Sequence, residues 1–209
     1  GTGMQGLVLS SAALEHAVQY ARERIQGTAV WEMKNPQAKP VTIINHPDIR
    51  RKLLWIKSHV EGSRSLCYFT AYCIDMAKVA TTEEEKARWS GLLDLLTPIL
   101  KAWTTDRGLI SCSMAIDVYG GYGYCSEYPV EQFMRDEKIA QIYEGTNGIQ
   151  ALDLVGRKLG QRLRGAGKQG VDHPPWVCAI QGVEAVGQRE HPCRFARAHT
   201  CGRDGCRCH

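Results

Sequence analysis

The sequence predicts an all-α fold, an antiparallel bundle of the four-helix type. Apolar residues recur at steps of three and four along several long segments, which is the period of a helix with one buried face. Long helices with short connections pack as antiparallel bundles. The sequence predicts no β-sheet, because the one strand-like run, VTIIN at residues 41–45, is short and has no second strand to pair with. We therefore expect one bundle domain over residues 1–160 and an irregular, disordered tail over residues 161–209.

The first two helices are predicted from their apolar stripes and their ends. The first ends at Gly27, since glycine favours a helix C-terminus, and residues 28–45 then lack a stripe and indicate a loop. The second begins where Asn45 can cap, Pro47 suits the first turn and Asp48 favours the positive helix end. The two stripes consist of Leu7, Leu14, Val18, Ala21 and Ile25, and of Ile49, Leu53, Ile56, Val60, Cys67, Ala71 and Ile74.

The third helix has a strong start at Thr82, which is followed by three glutamates. It is expected to continue towards Val118, with Pro98 as a kink. Its wide apolar face consists of Trp89, Leu92, Leu93, Leu96, Ile99, Leu100 and Trp103.

Two shorter helices complete the predicted bundle. Pro129 opens the first of them, which continues through about Ala140. Either Thr146 or Asn147 caps the last helix, which ends near Leu159. Beyond that point the sequence is rich in Gly, Pro, Arg and Cys, and it has no apolar stripe that would support a helix.

Composition and charge limit the class of protein. With 209 residues, 44% of them apolar, the chain is long enough for one domain with a core. The net charge of +4 resides in the tail, because residues 157–209 hold ten Lys or Arg against four Asp or Glu. This excess gives no support to a nucleic-acid-binding fold.

No apolar run reaches the length of a membrane helix and no signal core leads the chain, so we expect a soluble, cytoplasmic protein.

The nine cysteines predict no metal site. Four of them are scattered through the helical part, where small buried thiols are expected: Cys67, Cys73, Cys112 and Cys125. Five others crowd into the tail beside three histidines: Cys178, Cys193, Cys201, Cys206 and Cys208, with His191, His199 and His209. No C-x-x-C pair occurs among them, and their spacing fits no zinc motif.

One carboxylate stands apart from other charges near the end of the helical part. Between Ile139 and Thr146 the only ionisable side chains are Tyr143 and Glu144. An apolar setting disfavours the charged form of a carboxylate, so Glu144 is expected to be partly desolvated, with its pKa raised towards that of a working general base. The alternative is an exposed glutamate at a helix end. Spacing alone leaves both interpretations open.

Ordered motifs give the chain a resemblance to a known family. They are YARERIQG at residues 20–27, HPDIRRKLL at 46–54, TPILKAW at 97–103, GGYGY at 120–124, and YPVE, MRD and IYEGT within 128–146. In this order, over roughly residues 6–159, they resemble the C-terminal helical domain of the acyl-CoA dehydrogenases, especially the larger bacterial members. The resemblance implies a helical bundle that belongs to a larger flavoenzyme.

The resemblance implies a catalytic role for Glu144. In that family this glutamate removes the α-proton of an acyl-CoA thioester while the β-hydrogen leaves as hydride to flavin, which yields a trans-2-enoyl-CoA. The backbone N–H of the same glutamate and a ribityl hydroxyl of FAD bind the thioester oxygen, because the developing enolate requires hydrogen-bond donors. Gly145 would let the substrate approach the backbone closely.

FAD is the cofactor that the resemblance implies. The residues that match its contacts are Arg24, Gln26, Asp117, Gly120, Gly121, Thr146, Asn147 and Gly148. Two of them depart from the family pattern: Asp117 replaces a glutamine and would repel diphosphate, and Gly148 replaces a longer polar residue. Arg24 could instead be a solvated partner of a nearby glutamate, and His46 lies either near flavin or at a helix entry.

The expected partners are an acyl-CoA substrate, an electron-transfer flavoprotein and further copies of the chain, since the family's cofactor contacts cross between subunits of a homodimer or homotetramer. No nucleic acid and no membrane is expected. Family members carry further domains before this bundle, so the chain is interpreted as a C-terminal domain or fragment. Two alternatives stay open: an acyl-CoA oxidase, which passes electrons to oxygen, and a non-catalytic helical assembly module.

Overall fold

The computed structural model describes residues 1–159, and this part of the chain is a bundle of helices without a β-strand. The α-helices are α1 (Thr2–Glu23), α2 (Pro47–Val79), α3 (Glu83–Tyr119), α4 (Val130–Ala140) and α5 (Asn147–Leu152). Short 3-10 helices occupy Val30–Glu32, Ile43–Asn45 and Gly120–Tyr124, and a π-helix over Asp153–Leu159 continues α5. The predicted all-α bundle is confirmed. None of these helices is long and apolar enough to cross a membrane.

The central helix is α3, which packs against α1, α2, α4 and α5. Small side chains dominate its contact with α1, in a core cluster that includes Ala13, Ala17, Ala21, Cys112, Ala115 and Val118. At Gly6 the two backbones nearly touch, since an added Cβ atom would lie 2.7 Å from the Thr104 carbonyl oxygen. The small residues therefore allow α1 and α3 to pack closely along their length.

The first helix ends four residues earlier than predicted, at Glu23 instead of Gly27. Arg24 adopts an extended conformation, and Ile25 forms an isolated antiparallel bridge with Thr42. The backbone N–H of Ile43 donates to the Arg24 carbonyl over 2.8 Å, so pairing with the 41–43 segment replaces the last helical hydrogen bonds. As a result Ile25 is 60% exposed and does not belong to the buried stripe.

The start of α2 also differs from the prediction, because His46 and not Asn45 is its N-cap. The Asn45 side chain donates instead to Thr42 within the preceding 3-10 turn. Pro47 and Asp48 occupy the first turn as expected.

The buried face of α2 departs from the predicted stripe near the helix end. Thr70 and Cys73 are buried where Ala71 and Ile74 were expected. The Thr70 hydroxyl donates to the Leu66 carbonyl over 2.8 Å, so its polar group is satisfied within its own helix. A buried polar residue of this kind leaves no mark on the apolar pattern of the sequence.

The ends of α3 agree with the sequence. The Thr82 hydroxyl accepts a hydrogen bond from the Glu85 N–H over 3.2 Å, and the helix continues through Pro98 to Tyr119. The last two helices are confirmed as well: α4 begins after Pro129, and the Thr146 hydroxyl caps α5 by accepting from the Ile149 N–H.

The buried face of α3 differs from the predicted apolar face, because it lies further along the helix and includes several polar residues. The predicted stripe is only partly buried, and Trp103 is 42% exposed. The buried positions include Pro98, Lys101, Thr104, Thr105, Gly108, Ser111 and Cys112. The hydroxyls of Thr104, Thr105 and Ser111 each donate to the carbonyl one turn earlier, which satisfies them without a partner from another helix.

The cysteines of the described part are all free. Cys67, Cys73 and Cys112 are buried, as predicted, whereas Cys125 is exposed and corrects the expectation for that residue. The predicted domain boundary near residue 160, the tail and its Cys and His cluster lie outside the described residues.

A buried carboxyl group lies where α4 packs on α3. Glu137 is 0% exposed, and neither of its carboxylate oxygens has a hydrogen-bond partner. A Cβ atom added to Gly108 would lie 2.7 Å from its Oε1 atom, so the glycine makes room for the side chain. Burial raises the pKa of Glu137 to about 8, and burial likewise raises the pKa of the neighbouring Cys112 thiol.

We predict that Glu137 makes the stability of the bundle fall with rising pH. A folded pKa above the unfolded value means that unfolding releases a proton, so stability is kept below the unfolded pKa of 4.5 and lost as pH rises to about 8. The loss is on the order of 3–5 kcal/mol. Urea unfolding between these pH values measures it.

The glutamine side chain of the Glu137→Gln variant cannot ionise, so this variant should lose this part of the pH dependence of stability. Glu15→Gln, a change at an exposed position of α1, is the control and should keep it. Parallel pH profiles for the Glu137 variant and the unsubstituted protein would contradict the assignment.

Candidate active site

The loop between α4 and α5 carries Glu144 in an uncommon backbone conformation. Glu144 has a φ of 53° and is the only non-glycine residue of the described part with a positive φ. Gly145 follows with a φ of 86°. Two successive left-handed residues turn the chain sharply, and a non-glycine residue adopts this conformation only when its surroundings hold it there.

The Glu144 side chain is exposed, which corrects the expectation that it is desolvated. Its apolar sequence neighbours do not cover it, because Ile142 is also largely exposed, at 49%. The carboxylate is nevertheless fixed at one oxygen, since the hydroxyl of Thr2 at the start of α1 donates to Oε2 over 2.8 Å. The Tyr143 hydroxyl also donates to α1, at Gln5. The loop is therefore tied to α1 through both side chains.

Lys101 on α3 holds the other side of this loop, and the sequence analysis did not identify it. Its side chain is buried, with 7% of the residue exposed. The ammonium donates to the Gly145 carbonyl over 2.8 Å and to Asn147 Oδ1 over 2.7 Å. A lysine within an apolar run of a helix is the signal that could have found it, since a buried charge requires partners.

Asn147 connects Lys101 to further groups of α3. Its Nδ2 atom donates to Asp106 Oδ1 over 2.6 Å and to Thr105 Oγ1 over 3.0 Å, while its backbone N–H donates to the Gln141 carbonyl. The Asn147 side chain therefore fixes the loop. This structural role does not test its predicted contact with the cofactor, nor those of Thr146 and Gly148.

A separate cleft of about 830 Å³ lies where α1 ends, α2 begins and α3 ends. It brings together five of the residues predicted to bind the cofactor: Arg24, Gln26, Asp117, Gly120 and Gly121. Tyr20, His46 and Tyr122 line it as well. A Cβ atom added to Gly120 or Gly121 would meet nothing within 4 Å, so the missing side chains leave open space along this wall.

Arg24 is the free cation of this cleft within the described residues. Its guanidinium lies 5.2 Å from the centre of the Tyr122 ring. The ion pairs of residues 1–159 do not include it, so the alternative of a partner glutamate is not realised there. A guanidinium held against an aromatic ring and left without a carboxylate is suited to bind a phosphate group.

His46 supports the same wall from the start of α2. Its Nε2 atom lies 2.7 Å from the Gln26 carbonyl oxygen, and its backbone is the N-cap of the helix. The helix-entry role is therefore present, and His46 also lines the cleft.

The Asp117 carboxylate is partly neutralised by Lys52, another residue that the sequence analysis missed. The Lys52 ammonium lies 3.3 Å from Asp117 Oδ2 and 3.3 Å from Asp48 Oδ2. Repulsion between Asp117 and a diphosphate is thus weaker than the sequence alone suggested, although solvent screens a pair at this exposure.

The cleft and the Glu144 loop are two separate places along α3. Lys101 contacts the loop, whereas Asp117 lines the cleft, and their separation of 16 positions in sequence corresponds to about 24 Å of helix. The structure therefore does not bring the predicted base of this chain next to the predicted cofactor wall of the same chain.

Comparison with known proteins decides the family. Residues 1–159 match the family described as acyl-CoA dehydrogenase, C-terminal domain. The chain belongs to the acyl-CoA dehydrogenase family. It is 37% identical to 3-methylmercaptopropionyl-CoA dehydrogenase of Ruegeria pomeroyi, an alignment that covers 88% of this chain and 30% of that protein. The chain thus spans less than a third of the length of this relative.

Solved structures of acyl-CoA dehydrogenase relatives share the fold. Butyryl-CoA dehydrogenase of Megasphaera elsdenii aligns with a TM-score of 0.58 and 30% identity, over 76% of this chain and 35% of that one. A structure described as the electron transferring flavoprotein of Acidaminococcus fermentans aligns with a TM-score of 0.58 and 26% identity, over 76% and 35% of the two chains. The bundle is therefore the C-terminal domain of an acyl-CoA dehydrogenase family member.

We predict that Gly145→Ala loosens the loop of this family member. An alanine at a φ of 86° is strained, and its Cβ would lie 2.9 Å from Gln150 Nε2. The local cost is about 1–2 kcal/mol, so hydrogen exchange of the amides in residues 141–150 should quicken roughly tenfold.

Gly62→Ala is the matched control. An added Cβ meets nothing within 4 Å there, and the position lies inside α2. This change should stabilise the protein by about 0.5–1 kcal/mol and leave the loop amides unchanged. Equal effects of the two substitutions would show that the loop does not depend on the left-handed glycine.

Proposed function

We propose that this chain contributes to the α,β-dehydrogenation of an acyl-CoA thioester to a trans-2-enoyl-CoA, with Glu144 as the base that removes the α-proton. The observation that carries the proposal is the conformation of the Glu144 loop. The Glu144 backbone N–H takes part in none of the backbone hydrogen bonds among the described residues, and its carboxylate is fixed beside it by Thr2. The loop thus offers a free donor and a positioned base on one residue.

This pairing of donor and base suits the chemistry of a thioester. The α-proton is weakly acidic, so its removal requires that negative charge on the thioester oxygen be stabilised. The free N–H of Glu144 is the donor that would bind that oxygen, while its carboxylate accepts the proton. Because the carboxylate is exposed in this chain, its desolvation would come from the bound substrate and neighbouring parts of the enzyme.

The cleft at the end of α3 fits a flavin nucleotide. Arg24 would bind the pyrophosphate. The missing side chains at Gly120 and Gly121 would let the cofactor approach the backbone closely. Gln26 and His46 hold the adjoining segment in place. When bound, FAD would supply the acceptor for the β-hydride.

The distance along α3 between the two places supports an assembly of several chains. The Glu144 loop contacts α3 at Lys101, whereas the cofactor wall includes Asp117, about 24 Å further along that helix. The base and the wall of one chain are therefore not arranged around the same small reacting group. Each wall would therefore complete a site with the base of another copy, in a homodimer or homotetramer. An electron-transfer flavoprotein is the proposed electron acceptor, supported by the structural likeness to the Acidaminococcus chain.

A non-catalytic assembly module is the second candidate. It is favoured by the exposure of Glu144 and by the Asp117 carboxylate in the cleft. The two candidates differ in one property: only the first requires Glu144 to react.

We expect anaerobic addition of acyl-CoA thioesters of several chain lengths to bleach the flavin of the FAD-reconstituted protein. Glu144→Gln removes the base and should slow bleaching by about 10²-fold or more. Glu84→Gln, an exposed change in the first turn of α3, is the control and should bleach at the original rate. Rapid bleaching by the Glu144 variant, or none by the unsubstituted protein, would contradict the proposal for this chain. Oxygen uptake in a parallel assay in air would identify an oxidase.

Arg24→Met should weaken binding of FAD by about 10- to 100-fold, since it removes a charge-assisted contact to phosphate. Titration of flavin fluorescence measures the affinity. Arg22→Met, an exposed arginine in the last turn of α1, is the matched control and should bind FAD normally. Equal weakening by both variants would indicate an effect of net charge rather than of the cleft.

A further inference from the structure

We propose that Lys101 is a positioning residue for Glu144, which holds the Glu144 loop in its left-handed conformation from inside the bundle. This inference rests on the proposed function, since it assigns a role towards the proposed base. Lys101 does not itself contact Glu144 by a hydrogen bond. It acts through the next residue, Gly145, and through Asn147.

The Lys101 ammonium fixes the loop at the Gly145 carbonyl. The Gly145 carbonyl accepts from the buried Lys101 ammonium over 2.8 Å, and from Gln150 Nε2 over 3.4 Å. Fixing the carbonyl on the far side of Gly145 fixes the peptide plane that follows the left-handed pair. The Glu144 backbone can then move only through its own φ and ψ angles. The hydrogen bond from Thr2 to the Glu144 carboxylate limits this movement, because it holds the end of the side chain.

Lys101 also holds the start of α5, at Asn147. The same ammonium donates to Asn147 Oδ1, and Asn147 is in turn bound to Asp106 and Thr105 of α3. One cation therefore ties the residue after the base and the first residue of α5 to the same helix. Without it, the Gly145 carbonyl keeps only the weak contact with the Gln150 side chain.

The charge of Lys101 is buried and therefore depends on hydrogen-bond acceptors around it. Burial lowers the pKa of the Lys101 ammonium, and the carboxylates of Asp106 and Glu144 act in the opposite direction. A partly desolvated cation is costly unless converging acceptors satisfy it, and here the acceptors converge from the loop. A neutral apolar side chain of similar length would pack in the same space but could not hold the loop.

The test compares Lys101→Met, which keeps most of the side-chain length and removes the donor, with Lys101→Arg, which keeps a cation. Lys158→Met is the matched control, because Lys158 also donates to a backbone carbonyl, that of Asp94, at a place away from the Glu144 loop. Hydrogen exchange of the amides in residues 142–150 is followed together with the global unfolding midpoint.

We expect the Met variant at 101 to quicken exchange of these loop amides by about 10- to 100-fold relative to the amides of α1 and α2. The Arg variant should recover part of the protection, and the control should leave the loop unchanged. Equal exchange in the Met variant and the unsubstituted protein would overturn the proposal. So would an increase spread evenly over the bundle, which would indicate a merely structural role.

A second measurement separates this inference from the proposed function. In the anaerobic bleaching assay, Lys101→Met should lower the limiting rate by about 10- to 100-fold while the half-saturating thioester concentration changes by less than about threefold. An unchanged limiting rate would overturn the positioning role. If the unsubstituted protein does not bleach, the proposed function fails, and the exchange experiment still decides whether Lys101 holds the loop.

Discussion

The close approach of α1 to α3 is the constraint on which the rest of the structure depends. At Gly6 the two helices leave no room for even a methyl group. Because α1 lies against α3 at this distance, its first residue, Thr2, reaches the carboxylate of Glu144 on the far loop. The same packing places α4 on the remaining side, where Glu137 occupies the space beside Gly108. Small residues thus determine where the polar groups of the loop meet.

The helix α3 has two roles, because it holds the Glu144 loop and also forms part of the cleft. Its middle supplies the buried polar groups that hold the Glu144 loop, including Lys101 and Thr105. Its end supplies part of the wall of the cleft, at Asp117 and Tyr119. A rigid helix of 37 residues keeps these two places at a fixed separation. For an assembly of several copies, this separation would set the spacing between sites contributed by neighbouring chains.

Much of the fold could be predicted from the sequence, because helix ends carry local signals. The cap at Thr82 and the cap at Thr146 are both realised. The stripes were less informative where buried residues are polar and bonded within their own helix, as at Thr70. The motif residues of the cleft could be named, whereas Lys101 and Lys52 were not, because their contacts with the Glu144 loop and with Asp117 join parts of the chain that are distant in sequence.

The contact between Gly108 and Glu137 has a consequence for the divergence of related sequences. An added methyl group at position 108 would meet the carboxyl group of Glu137 at 2.7 Å, so the two positions share one volume. Residues that share a volume do not contribute independently to stability. A larger residue at 108 therefore requires that the side chain at 137 shift or be smaller, and its Cβ atom would also lie 3.1 Å from the Gly6 carbonyl oxygen. The order of substitution is constrained, and the two positions should change as a pair.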